Sequence, residues 1–219
     1  MVTRHYSAFA FVLLAACSAC GDDGMNTIDA PPDPCMPEMQ VTGEYVDWDS
    51  TPATFKGILG AQFTLRGDAS KTASTAPNGR FILCVPAADG LIDITPMSGS
   101  NYVAGTLVVN KAVVQSGAML SLRSFTTARA ADFGFSMTQA QVYVHVDGGA
   151  RTATTSATAS VQKHFENGTW SDGNTGSDIY LGNVDPQAMT SLNVPNTSKG
   201  AGSIPLTAGA FTYVTVIAK

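Results

Sequence analysis

The sequence predicts an all-β protein, and three observations support this class. Apolar and polar side chains alternate over short stretches, as in residues 81–85, which is the pattern of a strand with one buried face. Turn-forming residues such as Pro77, Asn78 and Gly79 separate these stretches. Only 13% of the residues are charged, about half the usual fraction, and 21 are glycine. This composition suits an exported β-rich domain.

The N-terminal residues predict a targeting segment. Residues 6–16 form an apolar run that is as long as the core of a signal peptide and too short to span a bilayer. The run ends in Leu14-Ala15-Ala16-Cys17, which resembles the lipobox of bacterial lipoproteins. The resemblance implies removal of residues 1–16, acylation of Cys17 and, because Ser18 follows instead of Asp, sorting to the outer membrane. The alternative is a plain secretory signal with incidental cysteines.

Residues 17–38 predict a lipidated N-terminus and a disordered acidic, proline-rich tether. The segment holds prolines at 31, 32, 34 and 37 and acidic residues at 22, 23, 29, 33 and 38. Such a chain repels itself and has little apolar surface to bury. We expect it to act as a spacer between a membrane and the folded part.

Residues 39–110 predict a first β-sandwich. The strand candidates are 41–47, 60–66, 81–85, 91–95 and 102–109. Val41-x-Gly43, Leu59-Gly60-Ala61-x-Phe63-x-Leu65 and Thr75-x-x-Asn78-Gly79-x-Phe81-x-Leu83-x-Val85-Pro86 together resemble the carboxypeptidase regulatory-like domain. The resemblance implies a transthyretin-like sandwich that serves as an accessory without a zinc site, which argues against catalysis. Tyr45 and the insertion 49–56 depart from the family pattern.

The rest of the chain predicts a connector and a second sandwich. Residues 111–139 indicate a connector with a short helix whose N-cap is Thr126 or Thr127. Residues 140–219 indicate a degenerate second copy in tandem with the first sandwich. Its strand candidates are 141–147, 157–165, 177–184, 191–194 and 211–217. In an alternative that stays open, this half completes one larger sandwich.

The cysteines predict one disulfide. An exported protein keeps disulfides, and Cys20, Cys35 and Cys84 remain once Cys17 carries lipid. Cys84 lies on the strand face opposite the apolar side chains, and Cys35 lies just before the first strand. We therefore predict a Cys35–Cys84 bond, with Cys20–Cys35 as the alternative.

No catalytic residue and no cofactor is predicted. The sequence lacks a Gly-x-Ser-x-Gly elbow and a His-Glu-x-x-His zinc motif. His145 and His164 are interpreted as structural or solvated residues. The weak candidates for a calcium ligand are Glu166, Asp172, Asn174 and Asp178. Oxygen donors in a Gly-rich run suit Ca²⁺, but turns in a hairpin explain the same residues.

Two tryptophans are candidate ligand contacts. Trp48 and Trp170 stand near carboxylates, and such a ring can stack on a sugar; alternatively, each ring covers the end of a core. The net charge of -5 and the scattered basic residues exclude a nucleic-acid partner. We expect a non-enzymatic, lipid-anchored envelope protein that presents loops to a protein or glycan partner. The alternatives are a carbohydrate-binding or calcium-assisted adhesion module and an enzyme with an unrecognised site.

Overall fold

Strands dominate the computed structural model, which describes residues 34–219. The strands of the first half are β1 (Met39–Asp47), β2 (Gln62–Leu65), β3 (Thr72–Ser74), β4 (Arg80–Val85), β5 (Gly90–Thr95), β6 (Gly105–Val109) and β7 (Leu120–Ser124). Those of the second half are β8 (Ala140–Asp147), β9 (Arg151–Thr152), β10 (Thr154–Thr155), β11 (Ala159–Glu166), β12 (Thr169–Asp172), β13 (Thr175–Gly176), β14 (Asp178–Val184), β15 (Thr190–Asn193), β16 (Thr197–Lys199), β17 (Gly202–Ile204) and β18 (Phe211–Ala218). The all-β class is confirmed.

The strands form one large sheet and smaller sheets beside it. The large sheet has ten strands in the order β12-β11-β14-β8-β18-β6-β5-β2-β3, with β16 also paired to β18. The smaller sheets are β4-β1-β7, β10-β15-β17 and the pair β13-β9. Strand β18 pairs in parallel with both β6 and β8. It therefore joins strands from the two halves of the chain.

The middle of the large sheet is buried on both faces. On β8, Tyr143 belongs to a core shared with the β4-β1-β7 sheet. Its neighbours Val142 and Val144 belong to a second core that includes Leu192 of β15 and Ile204 of β17. Successive side chains of a strand point to opposite faces, so the two three-stranded sheets cover opposite faces of the large sheet. The result is a three-layer β structure.

The two cores differ in composition and are named accordingly. The aromatic core lies against β4-β1-β7, and its large rings are Tyr45, Trp48, Phe63, Phe81, Phe125, Phe133, Tyr143, Tyr180, Phe211 and Tyr213. The aliphatic core lies against β10-β15-β17, and its buried residues are Ala140, Val142, Val144, Val146, Ala153, Ala157, Ile179, Leu181, Val184, Leu192, Val194, Ile204, Leu206, Val214 and Val216.

The large sheet contains strands from both halves of the chain, which were predicted to form two separate sandwiches. The described residues fall in one compact unit, and residues 140–219 contribute to the middle layer as well as to the third layer. This arrangement corresponds to the alternative in which the second half completes one larger body. A separate second sandwich is not formed, because β18 pairs with strands of both halves.

The connector contains a strand between two short helical segments. Helix α1 (Lys111–Val114) precedes β7, and helix α2 (Thr127–Ala130) follows it and continues into a 3-10 turn, Ala131–Phe133. The Thr126 hydroxyl accepts a bond from the Arg129 amide at 3.3 Å, so Thr126 is the predicted N-cap. The turn ends at Gly134, whose φ of 65° is left-handed.

The predicted disulfide joins the entry of β1 to β4. Cys35 and Cys84 are bonded, with their Cα atoms 5.2 Å apart. Cys84 lies opposite Gln40 in the antiparallel pair of β1 and β4. The bond therefore holds the residues before β1 against the edge strand of the β4-β1-β7 sheet.

Candidate functional site

Four titratable or charged side chains meet at the edge of the aromatic core, and we name them the Asp178 cluster: Arg123, Tyr143, His145 and Asp178. The Tyr143 hydroxyl donates to Asp178 Oδ1 at 2.6 Å, and His145 Nδ1 lies 2.7 Å from the same oxygen. Arg123 Nε lies 3.7 Å from Asp178 Oδ2. All four groups are largely shielded from solvent.

Strand geometry brings three of these residues together. Tyr143 and His145 are two positions apart on β8, so their side chains leave the same face. Asp178 begins β14 and is the direct partner of His145 in the antiparallel ladder. Cross-strand partners on one face lie within reach of each other. The cluster is therefore set by the register of β8 and β14.

Arg123 comes from the facing sheet and links it to the cluster. Its Nη1 donates to the carbonyl of Ser50 at 2.6 Å and to the carbonyl of Trp48 at 3.3 Å. Its guanidinium also lies 4.1 Å from the centre of the Phe165 ring, within the range of a cation–π contact. Arg123 thus ties the end of β1 to the large sheet.

The electrostatics fix the charge states of two members. Burial raises the pKa of Asp178, but the hydrogen bond and charge of His145, the bond from Tyr143 and the charge of Arg123 together lower it below 3.8. Burial, reinforced by the Asp178 charge, raises the pKa of Tyr143 well above its ordinary value of 10.0. Near neutral pH Asp178 is a carboxylate, and Tyr143 is a phenol that donates to it.

This arrangement suits a structural role better than chemistry on a substrate. The carboxylate is occupied by groups of the protein itself, and Tyr143 is buried and un-ionised. The cluster therefore joins layers of the fold.

The structure corrects the expectation that Trp48 contacts a ligand. Its side chain is 0% exposed. The Trp48 and Trp170 rings are stacked, with centroids 4.0 Å apart and planes 7° apart. Trp170 is half-buried, and its Nε1 donates to the Trp48 carbonyl at 3.0 Å. The two rings cover the end of the aromatic core, which is the alternative that the sequence left open.

The four calcium candidates do not converge. Asp178 is engaged in the cluster, Asp172 pairs with Lys163 at 2.5 Å, and Asn174 Nδ2 donates to the Ala153 carbonyl at 2.9 Å. Glu166 is exposed at the end of β11. Within residues 34–219 no group of three or more His, Cys, Asp or Glu side chains is placed to hold a metal ion.

The first part of the run that holds these candidates, from Glu166 to Asp172, belongs to a hairpin. Strands β11 and β12 are joined at Asn167 and Gly168, whose φ values are 52° and 82°. Both values are left-handed, as a two-residue hairpin turn requires. Trp170 therefore lies on β12, directly opposite Phe165, instead of at the tip of a loop.

The remaining predicted residues stand as follows. Cys17 and Cys20 lie outside the described residues, so acylation stays a prediction. In the part of the chain that the structure describes, no helix is long and apolar enough to cross a membrane. His145 lies in the Asp178 cluster, and the Nε2 atom of His164 is 3.6 Å from a Glu166 carboxylate oxygen.

Sequence reasoning did not find Arg123 as part of the cluster. The i, i+2 spacing of Tyr143 and His145 could have placed those two side chains on one face of a strand. Nothing local pointed to Arg123, which reaches the cluster from the facing sheet.

Comparisons with known proteins add little. No family model and no curated protein sequence matches the chain. Similar solved structures include the shaft pilin SpaA of Lactobacillus rhamnosus GG (TM-score 0.31, 10% identity, 83% of this chain and 98% of that chain) and a streptococcal ancillary pilin (0.24, 10%, 82% and 68%). The Bacillus anthracis TIE protein is also similar (0.26, 11%, 83% and 34%), and the chain spans about a third of its length. TM-scores this low support no statement about this chain, and the resemblance to the carboxypeptidase regulatory-like family stays an expectation.

Proposed function

We propose that this chain is a non-enzymatic structural module of a bacterial cell envelope. The observation that carries the proposal is the set of contacts within the Asp178 cluster. The phenol and the imidazole hydrogen-bond to the shielded carboxylate, and the guanidinium donates to a backbone carbonyl in the turn after β1. Groups with these chemistries serve catalysis when a substrate can reach them. Here they connect the β4-β1-β7 sheet to the large sheet.

The proposal includes an anchor at Cys17 and a spacer that ends at the Cys35–Cys84 bond, three residues short of the predicted end at residue 38, because this bond holds Cys35 to β4. Together they hold the folded part near an outer membrane. The Cys35–Cys84 bond supports export, because disulfides persist in oxidising compartments. One acyl chain binds a membrane only marginally and several bind it stably. The folded part would then present its loops to a protein or glycan partner at a distance from the lipid.

Mass spectrometry of the N-terminal peptide, taken from membranes of a bacterial host that expresses the full chain, tests the anchor. We expect a chain that begins at Cys17 and carries acyl groups. Cys17→Ser should release the protein from the membrane fraction, whereas the matched control Cys20→Ser should stay bound. A Cys17→Ser protein that remains in the membrane fraction would contradict the proposal.

A further inference from the structure

The methionines in the part of the chain that the structure describes are mostly exposed. Six lie in the described residues, and five of their side chains are accessible to solvent: Met36 (75%), Met97 (48%), Met119 (53%), Met137 (64%) and Met189 (53%). Met39, at the start of β1, is 7% exposed. Methionine ranks among the residues that are most often buried. Five of the six thioethers are nonetheless open to reagents dissolved in water.

The exposed methionines share a position in the fold. Each lies on a different loop beside the end of a strand: Met36 precedes β1, Met97 follows β5, Met119 precedes β7, Met137 precedes β8 and Met189 precedes β15. None of the five lies within a strand or helix of the described chain, so each thioether is presented to solvent by a loop.

We propose that these five methionines are sites at which the protein consumes peroxides and hypohalous acids while its fold stays intact. The sulfur lone pair attacks one oxygen of the oxidant and keeps it as a sulfoxide. Hydrogen peroxide leaves as water, an organic peroxide leaves as an alcohol, and a hypohalous acid leaves as halide and a proton. A thiol-dependent methionine sulfoxide reductase returns the thioether, and its two thiols become a disulfide with release of water.

The placement of the sulfur atoms makes this oxidation selective. Both cysteines of the described chain are joined in the disulfide, so neither offers a thiol to the oxidant. Met39 packs in the aromatic core, where a polar sulfoxide would disrupt packing. The five exposed sulfoxides would be solvated by water, so the fold tolerates them.

Oxidation of the full chain with limiting hydrogen peroxide, followed by peptide mass spectrometry, tests the proposal. We expect each exposed methionine to react at least about tenfold faster than Met39. Met36, with the greatest exposure, should be among the fastest. The product that carries an added oxygen on each of these five methionines should keep its near-ultraviolet circular dichroism, and a sulfoxide reductase with a thiol reductant should remove those oxygens.

A matched pair of variants measures how much oxidant the five exposed methionines consume. The fivefold variant M36L/M97L/M119L/M137L/M189L should consume about five fewer equivalents of oxidant per chain, one for each thioether removed, whereas Met39→Leu should consume as much as the unchanged protein. The proposal is overturned if Met39 reacts as fast as the other five, or if the chain unfolds once those five are oxidised. The rates in the unchanged protein decide this even if the fivefold variant does not fold.

Discussion

The aromatic core and the aliphatic core share three strands, β8, β14 and β18, yet they hold their layers together differently. On the aliphatic side, valine, leucine and isoleucine fill the space between the large sheet and β10-β15-β17. On the aromatic side, rings meet in defined stacked and edge-on pairs, and several of them carry a hydroxyl. Apolar burial has no preferred direction, whereas ring pairs and hydrogen bonds have one.

The difference shows where the fold fixes the orientation of its layers. The β4-β1-β7 sheet is tied to the large sheet by the Trp48–Trp170 stack and by Arg123. The β10-β15-β17 sheet rests on the opposite face through aliphatic contacts. We therefore expect substitutions in the aromatic core to damage both stability and the defined packing of rings, and substitutions in the aliphatic core to damage stability alone.

The largest expected effect is that of Trp48→Ala. Removing this ring leaves a cavity among six aromatic neighbours, one of which is the stacked Trp170. The free energy of unfolding should therefore fall by roughly 3–5 kcal/mol. Urea unfolding measures the loss, and near-ultraviolet circular dichroism should weaken with it. The matched change in the aliphatic core, Leu181→Ala, should lower stability and leave the aromatic dichroism signal in place. A Trp48→Ala protein with an unchanged dichroism spectrum would contradict the claim that the two cores differ in how they order their side chains.

How far the sequence could predict these cores depends on the range of the interactions. Alternation in residues 141–147 was enough to predict β8. The same pattern predicts one buried face, because β10 and β17, which help to cover Val142 and Val144, are very short and carry little alternation of their own. Strand β15 falls within the predicted strand 191–194, but nothing in its local sequence shows that it packs on the second face of β8.

Trp48 shows why the candidate site was harder to predict than the strands. Its neighbours Asp47 and Asp49 suggested an exposed turn with free carboxylates. In the structure Asp47 pairs with Lys56 at 2.9 Å, and Asp49 pairs with Arg129 from the connector at 2.9 Å. The second partner is 80 residues away. A local pattern cannot report such a partner, whereas the disulfide could be predicted because few cysteines were left to pair.

The Asp178 cluster gives the next largest effect. Asp178→Asn keeps the shape of the side chain but removes the charge that Tyr143, His145 and Arg123 face. Hydrogen bonds to a charged group are worth roughly 1.5–3 kcal/mol, and we expect a loss of that size in urea unfolding at pH 7. Asp172→Asn is the matched control, because its pair with Lys163 is exposed and such pairs contribute about 0–1 kcal/mol. Equal losses in the two variants would show that the cluster is no more than a surface ion pair.

The same cluster predicts a response to acid. The folded pKa of Asp178 is lowered, so its contribution is present above the unfolded pKa of about 4 and is lost as the pH falls through the folded value. Between pH 5 and pH 3 the unchanged protein should therefore lose stability more steeply than Asp178→Asn, by about 1 kcal/mol. Urea unfolding at both pH values measures the two slopes, and parallel slopes would contradict this assignment.

The smallest effect concerns a single hydroxyl in the cluster. Tyr143→Phe keeps the ring among its aromatic neighbours and removes the hydrogen bond to Asp178, so the free energy of unfolding should fall by about 1 kcal/mol.

The same substitution also tests how the titration of Tyr143 is linked to stability at high pH. Because burial raises the folded pKa of Tyr143 above 10.0, its contribution is present below pH 10 and is lost as the pH rises toward the folded value. The unchanged protein should thus lose stability above pH 10 more steeply than Tyr143→Phe, as read by urea unfolding. Tyr102→Phe is the control, since Tyr102 is only part-buried and bonds to Asp47 outside the cluster. If Tyr143→Phe and Tyr102→Phe lose stability equally at high pH, burial of the Tyr143 hydroxyl does not make the stability of the unchanged protein depend on its ionisation.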